Sequence, residues 1–185
     1  MHAKTPILTL AATLLGLAPL LPARAANSVS NTATHATFAT LADAVAALSE
    51  DGQTLLLAPG TYAEPELTLS YAVTIRGQAA ADTFLQPAAA TRIATVNIPA
   101  EFEVTLPVVF ENLTLRNGNA SGNGGALLVQ EGSLLLRHCT LSNNTASASG
   151  GALFCMSGAD AALAAEDTLL TANTAGTTGG GATRG

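Results

Sequence analysis

The sequence predicts an all-β protein, a right-handed parallel β-helix with a short N-terminal capping α-helix. Three observations carry that reading. A strand-like block returns at an offset of 26 residues, each copy runs into a small-residue loop closed by Gly-Gly-Ala, and apolar residues alternate with polar ones at period two.

Residues 1–25 read as a secretory signal peptide. Lys4 lies in a short basic start, the run from Ile7 to Leu21 holds no charge, and Pro22-Ala23-Arg24-Ala25 gives a small-residue exit with cleavage after Ala25. That run is shorter than the roughly 20 residues a spanning helix needs, so a cleaved signal is expected rather than a retained anchor. An organelle transit peptide is the competing reading, because no acid precedes Asp43; the scarcity of Arg opposes it. No second stretch approaches spanning length, so no transmembrane segment is expected in the mature chain. A secreted or cell-surface location follows.

Loss of Lys4 and Arg24, with no acid removed, moves the formal charge from −6 to −8. So acidic a chain has no electrostatic reason to seek nucleic acid or anionic lipid. The remaining 160 or so residues suit one domain. With five Phe, two Tyr and no Trp, thin aliphatic layers are a better expectation than a core of large aromatics.

Residues 26–52 form an N-terminal segment and capping helix. Phe38, Leu41, Val45 and Leu48 recur at helical spacing, and Gly52 supplies a stop. Residues 53–185 form the coils. Gln53 to Ala58 reads as a buried strand ending in a turn at Pro59-Gly60-Thr61-Tyr62, and further strands are expected at Leu67–Ser70, Val73–Arg76 and Thr91–Ile98.

The repetition is clearest later. Val109 to Asn117 matches Leu135 to Asn143, and a weaker copy passes through Thr168-Leu169-Leu170 about 29 residues on. Loops opening at Asn119, Asn144 and Asn173 reach the second Gly of Gly-Gly-Ala after six, seven and eight residues. That spacing implies a loop growing by one residue per copy at one corner of a solenoid. The period-two alternation of Leu113 with Leu115, and of Cys139 with Leu141, excludes helical repeats. Strands with no helix between them exclude βαβ crossovers. Stacked coils place Asn above Asn and Gly above Gly. Asn tolerates a left-handed corner and can bond its amide to the next one up, while Gly-Gly permits a sharp return.

Phe38 to Gly77, with its capping helix, first strand, Pro-Gly-Thr-Tyr and Val-Thr-Ile-Arg-Gly, resembles the start of the pectin-lyase-like right-handed β-helix superfamily. The later copies, Asn-Leu-Thr or Asn-Thr-Ala followed by Gly-Gly-Ala-Leu, resemble the repeats of chlamydial polymorphic outer membrane proteins. Together these stretches cover about 150 residues. They imply the fold; function they leave open, since the superfamily hosts lyases, hydrolases, epimerases and adhesins.

No residue is assigned as catalytic, cofactor-binding or metal-ligating. A lyase of this fold is expected to need a carboxylate-held Ca²⁺ beside a base, and a hydrolase two or three grouped acids, whereas the acids here are spread thinly. Glu64/Glu66 and Glu101/Glu103 have i, i+2 spacing and would share a face if extended, either as paired carboxylates or as a solvated surface. Arg137 is expected over Glu111 rather than Arg116, in a neutralising surface ladder. His138 is expected to face outward, with neither His2 nor His35 a credible partner for it. Cys139 and Cys155 form a disulfide or act as buried fillers, and match no zinc pattern. The sequons at Asn112, Asn119 and Asn143 admit glycosylation or a purely structural role.

The sequence stops within Gly179-Gly180-Gly181-Ala182-Thr183-Arg184-Gly185, inside a loop expected to lead into another strand, which implies a β-helix incomplete at its C-terminus. The leading functional expectation is a non-catalytic surface or adhesion module with a polysaccharide or cell-surface ligand. The alternative is a carbohydrate-active β-helix enzyme whose catalytic coils are missing or unrecognised.

Overall fold

The computed structural model describes residues 27–99, 106–156, 161–177 and 179–184. The expected signal peptide and the pair Glu101/Glu103 lie outside them.

The chain opens with a cap. Strands β1 (Val29–Asn31) and β2 (Thr37–Phe38) pair antiparallel, and β1 pairs antiparallel with β3 (Gln53–Leu57), so one coil edge is covered before the coils begin. Inside this cap the buried Asn31 amide donates to Gln53 Oε1 at 2.6 Å. Helix α1 (Leu41–Ala46) is shorter than its apolar spacing predicts. Thr40 is extended, and its hydroxyl accepts the Asp43 N–H at 3.1 Å, which fixes the helix start and leaves Phe38 in β2 and Leu48 beyond the C-cap. The buried Glu64 side chain closes the same end, accepting the N–H groups of Leu41 at 2.8 Å and Ala42 at 3.3 Å. Glu64→Ala leaves both donors without this acceptor and should cost about 1–3 kcal/mol in chemical denaturation.

From β3 onward the chain winds as a parallel β-solenoid. One sheet stacks β3, β6 (Val73–Arg76), β9 (Val108–Glu111), β13 (Ser133–Arg137) and β17 (Ala162–Glu166). A second stacks β4 (Gly60–Glu64), β7 (Thr83–Pro87), β10 (Thr114–Arg116), β14 (Thr140–Ser142) and β18 (Leu169–Thr171). A third stacks β5 (Leu67–Leu69), β8 (Ala94–Asn97), β12 (Leu127–Glu131), β16 (Leu153–Cys155) and β20 (Ala182–Arg184). A short fourth sheet joins β11 (Asn119–Ala120), β15 (Thr145–Ala146) and β19 (Thr174–Ala175) in the last three coils. Every pairing between coils is parallel, and four full turns separate β3 from β17.

Two early strands differ from the sequence reading. Pro59-Gly60-Thr61-Tyr62 is only in part a turn, because β4 starts at Gly60 and buries Tyr62. The Tyr62 hydroxyl reaches Ala58 O at 2.8 Å and Ser28 O at 3.0 Å, tying the second sheet to the cap; burial, chiefly, pushes its pKa up to about 12. Strand β7, around Phe84 and Leu85, has no counterpart among the expected strands.

The core is a set of columns one side chain wide. Leu55, Ile75, Phe110 and Leu136 stack in the first sheet, Tyr62, Leu85, Leu115 and Leu141 in the second, and Leu69, Val96, Val129 and Cys155 in the third. All are buried. A narrow interior with aliphatic layers thus accounts for the scarcity of aromatics.

Cys139 and Cys155 are both buried and form no disulfide, as the filler reading expects. Cys155 belongs to a third-sheet column, whereas Cys139 sits at the turn into β14 with Sγ 3.2 Å from Arg137 O. Burial, the largest cause, pushes the Cys139 thiol up to about 11. Because the folded value lies above the ordinary 9.0, this group's contribution to stability is complete below pH 9 and is lost as pH rises toward 11. The thiol should resist alkylation at pH 8 in the native protein and react fully in denaturant, as followed by mass spectrometry.

The loop-growth expectation is overturned. Asn119 pairs in register with Thr145, not Asn144, so Gly118 is the residue under Asn144. Gly118 to Gly125, Asn144 to Gly151 and Asn173 to Gly180 are then three equal steps of seven residues. Length varies at a different corner. Between equivalent positions of the third sheet and the next first-sheet strand run Leu69 to Val73, Val96 to Val108, Val129 to Leu134 and Cys155 to Leu163. That corner carries the three residues separating the 29-residue offset from the 26-residue one.

Candidate functional site

Each of the last three coils bends at two corners through a left-handed residue. Asn112, His138 and Asp167 occupy the first corner, with φ from 44° to 56°, and Asn117, Asn143 and Ala172 the second, with φ from 52° to 60°. Short polar side chains tolerate this backbone, which is why Asn recurs there. Asn143 and Asn119 are exposed and Asn112 is half-buried, so the three sequons lie at or beside turns of the chain. The sequence expectation that the left-handed Asn also bonds up the stack is overturned: Asn117 and Asn143 take the corner, and the ladder is made by Asn144 and Asn173.

Asn144 is fully buried and faces the interior. Its Oδ1 accepts the Gly118 N–H at 2.8 Å, and its Nδ2 donates to Leu115 O at 3.2 Å and to Asn173 Oδ1 at 3.0 Å. Asn173 repeats the pattern, taking the Asn144 N–H at 3.0 Å and donating to Leu141 O at 2.9 Å. An interior amide ladder therefore satisfies the backbone where the chain turns from the second sheet into the fourth. The doublet Asn143-Asn144 was the available signal: the first Asn takes the left-handed corner, and the second shares inward parity with Ala146 beyond it.

The charged residues form a second ladder, on the outer face of the first sheet. Arg76, Glu111, Arg137 and Glu166 occupy one register column in alternating sign. Arg76 Nε donates to Glu111 Oε2 at 2.5 Å and Arg137 Nε to Glu166 Oε2 at 2.8 Å. Arg137 thus lies over Glu111, as the 26-residue offset requires. The Glu166 bond, above all, raises the Arg137 pKa further. The column is exposed and screened, so Arg137→Ala should leave the melting temperature almost unchanged in differential scanning calorimetry.

The remaining candidates separate. Glu64 caps α1, while Glu66 accepts from the hydroxyls of Thr91 at 2.7 Å and Thr95 at 2.8 Å and approaches Arg92 at 3.4 Å, so the two carboxylates serve different partners. Arg116 lies over the Phe84 ring, 4.2 Å from its centroid, and donates to Gln86 Oε1 at 3.1 Å. His138 is exposed, with Nε2 3.4 Å from Asp167 Oδ2 on the next coil. His35 sits in the turn between β1 and β2. Among the described residues no group of three or more His, Cys, Asp or Glu side chains could hold a metal ion, and no helix is long and apolar enough to cross a membrane. A hollow of about 310 Å³ beside α1, lined by Val45, Leu67 and Tyr71, has among the described residues one charged side chain, Glu66.

This geometry defines a class: a parallel β-solenoid whose outward polar and charged side chains join one coil to the next. Within that class, residues 138–156 match the model of the Chlamydia polymorphic membrane protein repeat. The matched stretch runs from the His138 corner through β14, β15 and the Gly150-Gly151 turn to the end of β16. It places in the chain a repeat of the type found in surface-associated chlamydial outer membrane proteins. No curated protein and no solved structure matches the chain.

Proposed function

We propose that this protein is an exported, surface-displayed β-solenoid that works as a non-catalytic adhesion or recognition module. One observation carries the reading: six charged and titratable groups of the repetitive coils, Arg76, Glu111, Arg137, Glu166, His138 and Asp167, are engaged with one another between coils rather than converging on a shared cavity. Convergence of such groups is what acid–base or metal-assisted cleavage of a polysaccharide requires. The polymorphic membrane protein repeat at 138–156 supports surface display, as do Lys4, the uncharged run Ile7–Leu21 and the small-residue exit at Ala25. The lateral faces, built from regularly spaced coils, present an extended surface of the kind solenoids use for binding.

Two measurements test this. Protease added to intact cells expressing the full gene should remove the coils from the surface, and an amino terminus at Ala26 should be found by sequencing. The purified protein, incubated with acidic and neutral polysaccharides with and without Ca²⁺, should bind without releasing products; Ca²⁺-dependent appearance of unsaturated sugars overturns the reading.

A further inference from the structure

The arginines of the coils differ in what they face. Arg76, Arg92 and Arg137 each have a carboxylate oxygen within 3.4 Å, from Glu111, Glu66 and Glu166 respectively. Arg116 has none among the described residues. Its Nε donates to Gln86 Oε1 and its Cζ stands 4.2 Å from the Phe84 ring centroid, which leaves the two terminal nitrogens of the guanidinium without a partner among those residues. Ring and amide hold this fork in place before any ligand arrives, so binding has little left to order.

The surroundings supply more donors and no acid. Strands β7, β10 and β14 are each paired on both sides, and their outward positions are Phe84 and Gln86, Thr114 and Arg116, and Thr140 and Ser142. Ser142 stands in register over Arg116, about 4.8 Å away by sheet geometry, and its hydroxyl makes no hydrogen bond among the described residues. The exposed side-chain amides of Asn117 and Asn143, at the corner next to these two residues, are also unengaged there.

We propose that Arg116, Gln86, Ser142, Asn117 and Asn143 form a binding site for a sugar acid carrying a single carboxylate. The guanidinium fork takes the carboxylate through two parallel N–H···O bonds, and the hydroxyl and amides around it take the hydroxyls of the sugar ring. An acidic peptide side chain would answer Arg116 and leave those groups idle. The formal charge of −6 sets a second preference. Repulsion grows with each further anionic group on a ligand, whereas a single carboxylate in contact with Arg116 feels the distant acids only through screening salt. The site gives the recognition reading its ligand class, and it rests on that reading.

The test is saturation-transfer NMR on the full chain, with 3′-sialyllactose, a glucuronic-acid-terminated disaccharide, lactose and the α-amide of N-acetylglutamate as probes. One or both sugar acids should bind, which tells a nonulosonic from a uronic acid, while lactose and the glutamate probe should not. Arg116→Gln should weaken binding about tenfold, and Arg116→Lys, which keeps the charge and loses the fork, about threefold. Ser142→Ala should weaken it about twofold. Thermal melts of the same proteins show that each is folded. The site is overturned if neither sugar acid binds, if lactose or the glutamate probe binds as well as they do, or if Arg116→Gln binds unchanged; each of these results leaves the recognition reading standing. Cleavage of a probe, visible in the same spectra, overturns that reading instead.

Discussion

Gly125→Ala and Gly151→Ala should each lower stability by about 3 kcal/mol and the melting temperature by roughly 6–12 °C. These glycines stack in adjacent coils, and the reason lies in the approach of two backbones rather than in dihedral freedom. A Cβ on Gly125 would fall 2.7 Å from the Thr145 carbonyl carbon and closer still to the Gly151 carbonyl oxygen. A Cβ on Gly151 meets the Thr174 backbone in the same way. Neither obstacle is a flexible side-chain tip, so relief means moving a strand of the fourth sheet: β15, paired on both sides, for Gly125, and β19, paired with β15, for Gly151. Gly122→Ala is the control, because a Cβ there meets nothing within 4 Å. Calorimetric scans of the three variants decide the point: equal melting temperatures would mean the coils are not packed this closely.

The second large effect belongs to Asn144. Replacing it with Leu keeps an inward side chain of similar size but leaves the Gly118 N–H and the Leu115 carbonyl without their partners, at about 1–3 kcal/mol each. A loss of about 3–5 kcal/mol in urea unfolding is expected, with faster exchange at the Gly118 amide. Asn144→Asp keeps the acceptor for Gly118 but turns a carboxylate oxygen toward the Leu115 and Asn173 oxygens, so it should be destabilising as well. Asn143→Ala, at the exposed left-handed corner next door, should cost less, since its side chain is not part of the interior ladder.

The solenoid was legible where one coil copies another. Val109–Asn117 and Leu135–Asn143 share parity, length and corner chemistry, so the 26-residue offset translates directly into Leu115 over Leu141 and Arg137 over Glu111. The first coils were not legible in this way. Gln53 pairs with Val73, 20 residues on, and Thr74 with Val109, 35 residues on, so no fixed period exposes β4 or β7. The antiparallel cap was missed because Val29–Asn31 and Thr37–Phe38 are too short and polar to show an apolar alternation; their stability comes from the β3 edge they cover.

The inner ladder was misaligned by one residue for a different reason. Asn117, Asn119, Asn143 and Asn144 are chemically alike, and composition does not say which of them points inward. Alternation counted from Leu141 points to Asn143, but the left-handed turn at Asn143 resets it. Asn144, in register over Gly118, therefore faces inward with Ala146, above a position with no side chain to compete for the amide. Of the candidate site residues, the placement of Arg137 was legible from the 26-residue offset and the outward face of His138 from its alternation with Cys139. The separate duties of Glu64 and Glu66 were not, because Glu64 caps a helix more than twenty residues away in sequence.

The most direct test of the stacking is a disulfide between neighbouring coils. Asn119 and Thr145 are exposed and in register on adjacent parallel strands, about 4.8 Å apart by sheet geometry and within disulfide reach, whereas Asn119 and Thr174 are two coils apart at about 9.6 Å. With Cys139 and Cys155 replaced by Ala, the pair Asn119→Cys/Thr145→Cys should cross-link rapidly and quantitatively under mild oxidation, and Asn119→Cys/Thr174→Cys should not. Failure of the first pair, or equal cross-linking of both, would contradict coils that lie one directly upon the next.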